Sequence, residues 1–259
     1  MRMMKKVLGT VTVLALSASL LAGCGSTAAS PVSSAASTAA ESTTSSVVSE
    51  TTSAAADENV AAAAQLLNDL TGSYQELWPV ILADEYQQTW LDDCTALVGE
   101  ENAEAAFEKL SSMVTSDVYG EDAVEAYANG GGAYFCGFTN SLATLTFDGE
   151  TSTISGTDKD GNVLFSHTYH YIGMEPVRGL YEFESDDADS GEFTYFFLAP
   201  DTSAETYHIE FRYGSDADAL SQYDAGDYAY WLASGISTDC DQTMIDNCIK
   251  LFCTENLAG

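Results

Sequence analysis

The side chains of this chain that could do chemistry are three histidines set among a large excess of carboxylates. The chain has 259 residues, of which 40 are acidic and 8 are basic, and its formal net charge is −32. Imidazole nitrogens and carboxylate oxygens both bind divalent metals, and imidazole favours zinc over harder cations such as manganese or calcium. A field this negative attracts cations and repels phosphate backbones, so nucleic acid is excluded as a partner.

His208 is the histidine with the strongest local argument for binding a cation. Polar and apolar residues alternate from residue 206 to 213, and this period of two predicts a β-strand. The polar face of that strand consists of Thr206, His208, Glu210 and Arg212. Such a face could line a cavity while the alternate residues pack in the core. The oxygen ligands nearest to His208 along the chain are Asp201, Glu205 and Glu210. A hydrogen-bonded structural role for His208 stays open.

His167 and His170 have the spacing of an HxxH metal motif. On a helix this spacing would bring the two rings to nearly the same face. The surrounding residues predict a strand, on which a step of three residues places the two side chains on opposite faces. One metal ion is therefore not expected to bind both. Either histidine could join His208 across a barrel, and the sequence leaves open which one.

Five cysteines lie outside the N-terminal segment: Cys94, Cys136, Cys240, Cys248 and Cys253. Their spacing matches no zinc-ribbon pattern, and the last three do not stack on one helix face. In an exported chain we expect structural burial or one to two disulfides, and the odd number leaves at least one thiol unpaired.

The first residues predict export and lipid attachment. Arg2, Lys5 and Lys6 precede an apolar run from residue 7 to 20, which is too short to span a membrane. The following Leu21-Ala22-Gly23-Cys24 resembles a bacterial lipobox. Residues 1–23 are thus predicted to be a signal peptide, and Cys24 to carry lipid on the outer side of the cell membrane. Residues 24–56, rich in Ser, Thr and Ala, are predicted to be a disordered tether.

Residues 57–259 predict one α+β domain, with helices first and antiparallel strands after them. Predicted helices cover about 57–70, 84–97, 102–115, 121–128, 216–222, 227–233 and 241–255. Predicted strands cover 133–138, 142–147, 151–155, 163–172, 180–184, 193–198 and 206–213. The number of short strands indicates a small β-barrel.

The order of motifs resembles the ZinT/YodA family, exported zinc-binding proteins with a calycin (lipocalin-like) barrel. The residues that carry the resemblance lie in Leu70 to Pro79, Leu145 to Gly149, Phe165 to Gly173 and Glu205 to Gly214. The last of these, Glu-Thr-Tyr-His-Ile-Glu-Phe-Arg-Tyr-Gly, is the best match to a family pattern of Glu-His-Phe-His-Ile-Phe-Trp-Gly. The resemblance implies a calycin barrel followed by a C-terminal helix, zinc binding, and delivery of zinc to a metal-uptake transporter.

The chain departs from the family pattern at the metal ligands. The family holds zinc with three histidines, two flanking the Phe of that pattern and one some ten residues upstream after an Asp. His208 matches the second flanking histidine, but Thr206 stands at the first, and Asp201 is the nearest usable ligand upstream. The family's zinc site is therefore not expected intact.

No motif in the sequence predicts catalysis. We find no GxSxG, HExxH or phosphate-binding glycine loop, and Gly130-Gly131-Gly132 lacks a following Lys-Ser or Lys-Thr. The leading hypothesis is a membrane-anchored extracellular protein that captures zinc or a similar divalent cation. The alternative is a metal-free calycin module that binds an apolar or aromatic small molecule, a glycan or a partner protein, because barrels of this size can enclose one small ligand.

Overall fold

The computed structural model describes the backbone of residues 47–258 and side chains from residue 58 onward. The predicted signal peptide, the lipobox cysteine Cys24 and the tether up to residue 46 lie outside the described residues. The first described element, helix α1, spans Val47–Asp69 and begins earlier than the predicted start at Asp57. Alanine and glutamate are strong helix formers, and Ala54, Ala55 and Ala56, which the sequence assigned to the tether, continue the helix instead.

The described range contains eight helices, α1 included, and eight strands. The helices are α1, α2 (Leu77–Ile81), α3 (Gln87–Val98), α4 (Glu100–Ser112), α5 (Glu121–Ala128), α6 (Ser203–Thr206), α7 (Ala217–Leu220) and α8 (Gln242–Leu257). The strands are β1 (Gly72–Glu76), β2 (Thr144–Asp148), β3 (Thr153–Thr157), β4 (Val163–Met174), β5 (Tyr181–Ser185), β6 (Tyr195–Leu198), β7 (Ile209–Gly214) and β8 (Ala233–Ser237). Short 3-10 turns lie at Asp84–Tyr86 and Gly191–Phe193.

The strands form one closed antiparallel barrel in chain order, in which β8 returns to pair with β1. The predicted α+β class is confirmed, with N-terminal helices, an antiparallel barrel and a C-terminal helix. Closure leaves the sheet without an exposed edge, so every strand has two neighbours.

Two predicted elements near the ends of the barrel are wrong, and two observed strands were not predicted. Residues 133–138 form no strand, because Phe135 makes only isolated bridges to Thr115 and Trp231. Residues 227–233 are not a helix, and β8 starts at Ala233. Both β1 and β8 went unpredicted. Residues 233–236 of β8 are small or aliphatic and all buried, so the strand shows no alternation that the sequence could reveal.

The barrel encloses an aromatic core, and the helices cover a second one. Alternate strand residues point inward, where their rings stack on one another, with Phe196 and Phe211 at 5.4 and 5.9 Å from Tyr213 between ring centres. A separate cluster lies among α2, α3, α4 and α8 and includes Trp90, Cys94 and Ile249. Along residues 47–258, no helix combines the length and apolar character needed to cross a membrane.

The five described cysteines are all free thiols, and four of them are buried. Burial was expected, whereas no disulfide is present among the described residues. The closest approach between two sulfurs is that of Cys94 and Cys253, which face each other across the interface of α3 and α8.

Candidate metal site beside the C-terminal helix

His208 lies just before β7 and not within a strand that begins at Thr206, as the sequence predicted. Thr206 ends the short helix α6, in which the Glu205 carboxylate accepts from the Thr202 backbone at 3.4 Å. Tyr207 then takes a left-handed conformation with φ of 65°, which ends the helix and turns the chain into β7. Thr206 and His208 therefore do not share a strand face.

One ring nitrogen of His208 is fixed by the backbone, and the other is left for a ligand. Nδ1 lies 2.7 Å from the carbonyl oxygen of Thr206, which can only accept, so Nδ1 carries the proton. Nε2 then presents its lone pair, and it lies 3.9 Å from Oε1 of Glu210. Metal-binding histidines have this arrangement, in which a second-shell acceptor holds one nitrogen and orients the ring.

The C-terminal helix brings two further side chains to His208. The Cys248 sulfur lies 3.9 Å from His208 Nδ1, on the protonated side of the ring. Glu255 lies seven residues later, about two helical turns along the same side of α8. Partial burial raises the pKa of Glu255, His208 lowers it, and the charges of Glu210 and Asp201 raise it further. Three acidic groups thus share the neighbourhood of one imidazole.

We call His208, Glu210 and Glu255 the histidine–carboxylate site. Sequence reasoning missed Glu255 because it is distant in sequence; the only available signal was its spacing from Cys248 on an amphipathic helix. Of the other expected ligands, Asp201 is exposed beside the site. Glu205 is exposed and caps its own helix, so its carboxylate already has a structural partner.

Arg212 does not line a polar cavity, contrary to the sequence prediction. It is fully buried, and its guanidinium donates to the carbonyl oxygens of Leu220, Gln222 and Tyr228. Its planar guanidinium also lies over Tyr223, with 4.4 Å between the Cζ carbon and the ring centre. Arg212 therefore fixes the 216–230 segment against the outside of β7.

The structure places His167 and His170 with a different loop. His167 Nδ1 lies 2.8 Å from Asp187, and its ring packs beside Phe165 on the inner side of β4. His170 faces outward, where Nδ1 lies 2.8 Å from Asp186 and Nε2 lies 3.9 Å from Glu184. The two rings are on opposite faces of β4, as their odd spacing predicts. The neighbours of His167 and His170 are thus Asp187, Asp186 and Glu184, whereas those of His208 are Thr206, Cys248 and Glu210, so the structure does not join either histidine to His208.

No three His, Cys, Asp or Glu side chains within the described residues converge as a ready metal-binding group. The histidine–carboxylate site offers one free imidazole nitrogen with a carboxylate oxygen close to it, and a further carboxyl group nearby. This donor chemistry suits zinc and, with its oxygen excess, harder divalent cations.

A cavity of about 310 Å³ lies beside the helical core. Its lining includes Glu76, Trp78, Val114, Phe135 and Cys136. The Trp78 indole nitrogen is buried without a hydrogen-bond partner, and burial raises the pKa of the Cys136 thiol to about 12. The barrel interior is filled by stacked rings, so among the described residues this cavity offers room for a small organic molecule outside the barrel core.

The fold is similar to two solved structures of AdcA from Streptococcus pneumoniae. The first, the Zn(II)-bound ZinT-like domain, has 14% sequence identity and a TM-score of 0.45, and the match covers 71% of this chain and 89% of that one. The second, Zn(II)-bound AdcA, has 14% identity and a TM-score of 0.42 over 70% of this chain and 34% of that one. This chain thus matches about a third of that longer protein. Neither a protein-family profile nor a curated protein matches the chain.

Proposed function

We propose that this chain is an exported, lipid-anchored protein that captures a divalent cation, zinc first among them, at the histidine–carboxylate site. The observation that carries the proposal is the state of His208: Nδ1 donates to the Thr206 carbonyl, and the Nε2 lone pair faces Glu210 at 3.9 Å. His170 has a similar pair of acceptors, with Asp186 at Nδ1 and Glu184 at 3.9 Å from Nε2, but its side chain is 52% exposed, whereas that of His208 is 19% exposed.

The separation of these two atoms suits a bridging ion. Zinc binds histidine nitrogen at about 2.0–2.1 Å and carboxylate oxygen at about 2.0–2.2 Å, so an ion fits between atoms 3.9 Å apart with little movement. Glu255, whose carboxyl group feels the charges of His208 and Glu210, is the candidate for a third ligand. A fourth position stays open to water, which allows the ion to be exchanged.

The ligand types set the selectivity of the site. One imidazole and two carboxylates bind zinc less selectively than the three histidines of the family that the sequence resembles, and they admit manganese and calcium. The net charge of −32 raises the local concentration of any cation at low ionic strength. Delivery to a metal-uptake transporter follows from the resemblance, and Cys24 would hold the protein near such a partner.

Isothermal titration of the metal-free protein with zinc and with manganese tests the proposal. We expect saturable zinc binding that is lost in His208→Ala and kept in His170→Ala, because both variants remove an imidazole whose Nε2 lies 3.9 Å from a glutamate but only one removes the proposed ligand. Absence of zinc binding tighter than about millimolar would end this proposal.

A second function, binding of a small organic molecule, is favoured by the cavity near Trp78. Its volume of about 310 Å³ is at the lower end of typical ligand pockets. The apolar lining with one carboxylate, Glu76, fits a small aromatic or amphiphilic molecule. A native mass spectrum that shows an organic adduct without metal would favour this function over cation capture.

A further inference from the structure

Cys94 and Cys253 form a pair of thiols within the helical core. Cys94 lies on α3 and Cys253 on α8, and both are completely buried. Their sulfurs lie 3.9 Å apart. The remaining described cysteines have different surroundings, since Cys248 faces His208 and Cys136 lies beside the cavity.

We propose that Cys94 and Cys253 form a disulfide in the exported protein. A disulfide has sulfurs about 2.0 Å apart, so each sulfur must move by about 1 Å, which small side-chain rotations supply. Both thiols are oxidised, and they lose two protons and two electrons in total. The oxidant is another disulfide, that of a thiol–disulfide oxidoreductase or of oxidised glutathione, which is reduced to two thiols.

Burial dictates when the bond can form. The attacking species is a thiolate, and burial raises the pKa of both thiols above the ordinary cysteine value. In the folded protein the pair is also closed to an external oxidant. Oxidation therefore takes place before α8 docks on α3, and the finished bond resists reduction until α8 opens.

The bond would fix the helix that borders the histidine–carboxylate site. α8 carries Cys248 on one side of Cys253 and Glu255 two residues beyond it. A crosslink between residues 94 and 253 encloses nearly the whole barrel, so it would limit the unfolded chain more than a short loop would. The inference rests on the proposed export only for the presence of an oxidant, and it does not depend on metal binding.

A thiol map of the full chain, purified from an exporting host, tests the proposal directly. The protein is denatured in an alkylating reagent without reductant, and its peptides are analysed by mass spectrometry. We expect one linked pair of peptides that contains Cys94 and Cys253, with Cys136, Cys240 and Cys248 alkylated. The same map is made after refolding in a buffer of reduced and oxidised glutathione, which supplies the oxidant whatever the location of the protein.

Alkylation of both Cys94 and Cys253 in the two preparations, or a link to another cysteine, would overturn the proposal. Since no metal enters this measurement, its failure is separate from failure of the zinc titration.

A melting experiment adds a second measurement: reductant should lower the melting temperature of the wild type by several degrees and leave the Cys94→Ala/Cys253→Ala double variant unchanged. Cys136→Ala, which removes a buried thiol outside the pair, should keep the response to reductant. A wild type that melts at the same temperature with and without reductant would contradict the bond.

Discussion

The Nδ1 atom of His208 lies 2.7 Å from the carbonyl oxygen of Thr206, two residues earlier in the chain. This contact is possible because Tyr207 between them is left-handed and folds the chain back on itself. In an extended strand the His208 side chain would point away from the Thr206 backbone. Here its ring is held by that backbone, and Nε2 is directed towards Glu210. The ring is held before any cation binds, so cation binding loses little side-chain entropy at His208.

We expect His208→Ala to remove most of the zinc-induced rise in melting temperature while changing the metal-free protein little. The backbone carbonyl that loses its donor is only partly buried and can bind water instead. Thermal melts with and without zinc, on wild type, His208→Ala and His170→Ala, provide the check. A loss of about 1–3 kcal/mol in the metal-free form would instead indicate a structural histidine.

Glu255 should couple cation binding to pH. Its pKa is raised, so the folded protein holds this proton more tightly than the unfolded chain does. The sign follows: the neutral carboxyl favours folding at low pH, and this contribution is lost as the pH rises from the ordinary glutamate value through the raised one. Glu255→Gln should therefore flatten the pH dependence of the melting temperature above that ordinary value and weaken zinc binding. Glu58→Gln, at an exposed position of α1, is the control that should change neither.

Arg212→Met should destabilise the protein by about 3 kcal/mol or more, because three carbonyl oxygens lose a buried charged donor. Arg178 is a matched control, since its guanidinium also lies over Tyr223, at 4.2 Å from the ring centre, but binds no such set of carbonyls. Arg178→Met should cost about 1 kcal/mol. Urea unfolding of both variants measures the difference, and equal losses would show that ring stacking, rather than carbonyl binding, is the main contribution of Arg212.

Tyr213→Phe should cost about 1–3 kcal/mol, because its hydroxyl donates to the Thr139 carbonyl and accepts from the Thr139 backbone nitrogen. These bonds hold an irregular segment across one end of the barrel core. The control is Tyr171→Phe, since the Tyr171 hydroxyl makes no hydrogen bond within residues 58–258. If both variants lose the same stability, the Thr139 contact is not what stabilises this end.

Cys24→Ala should release the protein from the membrane fraction and leave the domain folded, because two acyl chains anchor a protein stably and their loss affects no domain contact. Fractionation of cells followed by a melt of the soluble protein tests both parts. Retention in the membrane fraction would contradict the lipobox prediction.

Local patterns in the sequence determined much of the fold. α5 was predicted at its observed limits, and β4 and α8 nearly so. Their apolar residues recur every two positions in the strand or every 3.6 in the helices, and this period is visible in the local sequence. The opposite orientations of His167 and His170 follow from the same period, which needs no knowledge of distant residues. The number of carboxylates likewise predicted attraction of cations without any structure.

Only the tertiary structure decided which acidic groups meet His208. Glu255 is 47 positions away along the chain, and its carboxyl group feels the charge of His208 because Cys248 of the same helix lies 3.9 Å from the His208 ring. The left-handed conformation of Tyr207 keeps Thr206 off the strand face on which the sequence placed it. Arg212, predicted to line a polar cavity, is instead buried and has a structural role. β8 was not predicted because a strand buried on both faces shows no alternation of polar and apolar residues. Except at Tyr207, where the deciding feature is a local left-handed conformation, the decisive contacts join residues from different elements, and the free energy of such packing depends on the complete fold rather than on local propensity.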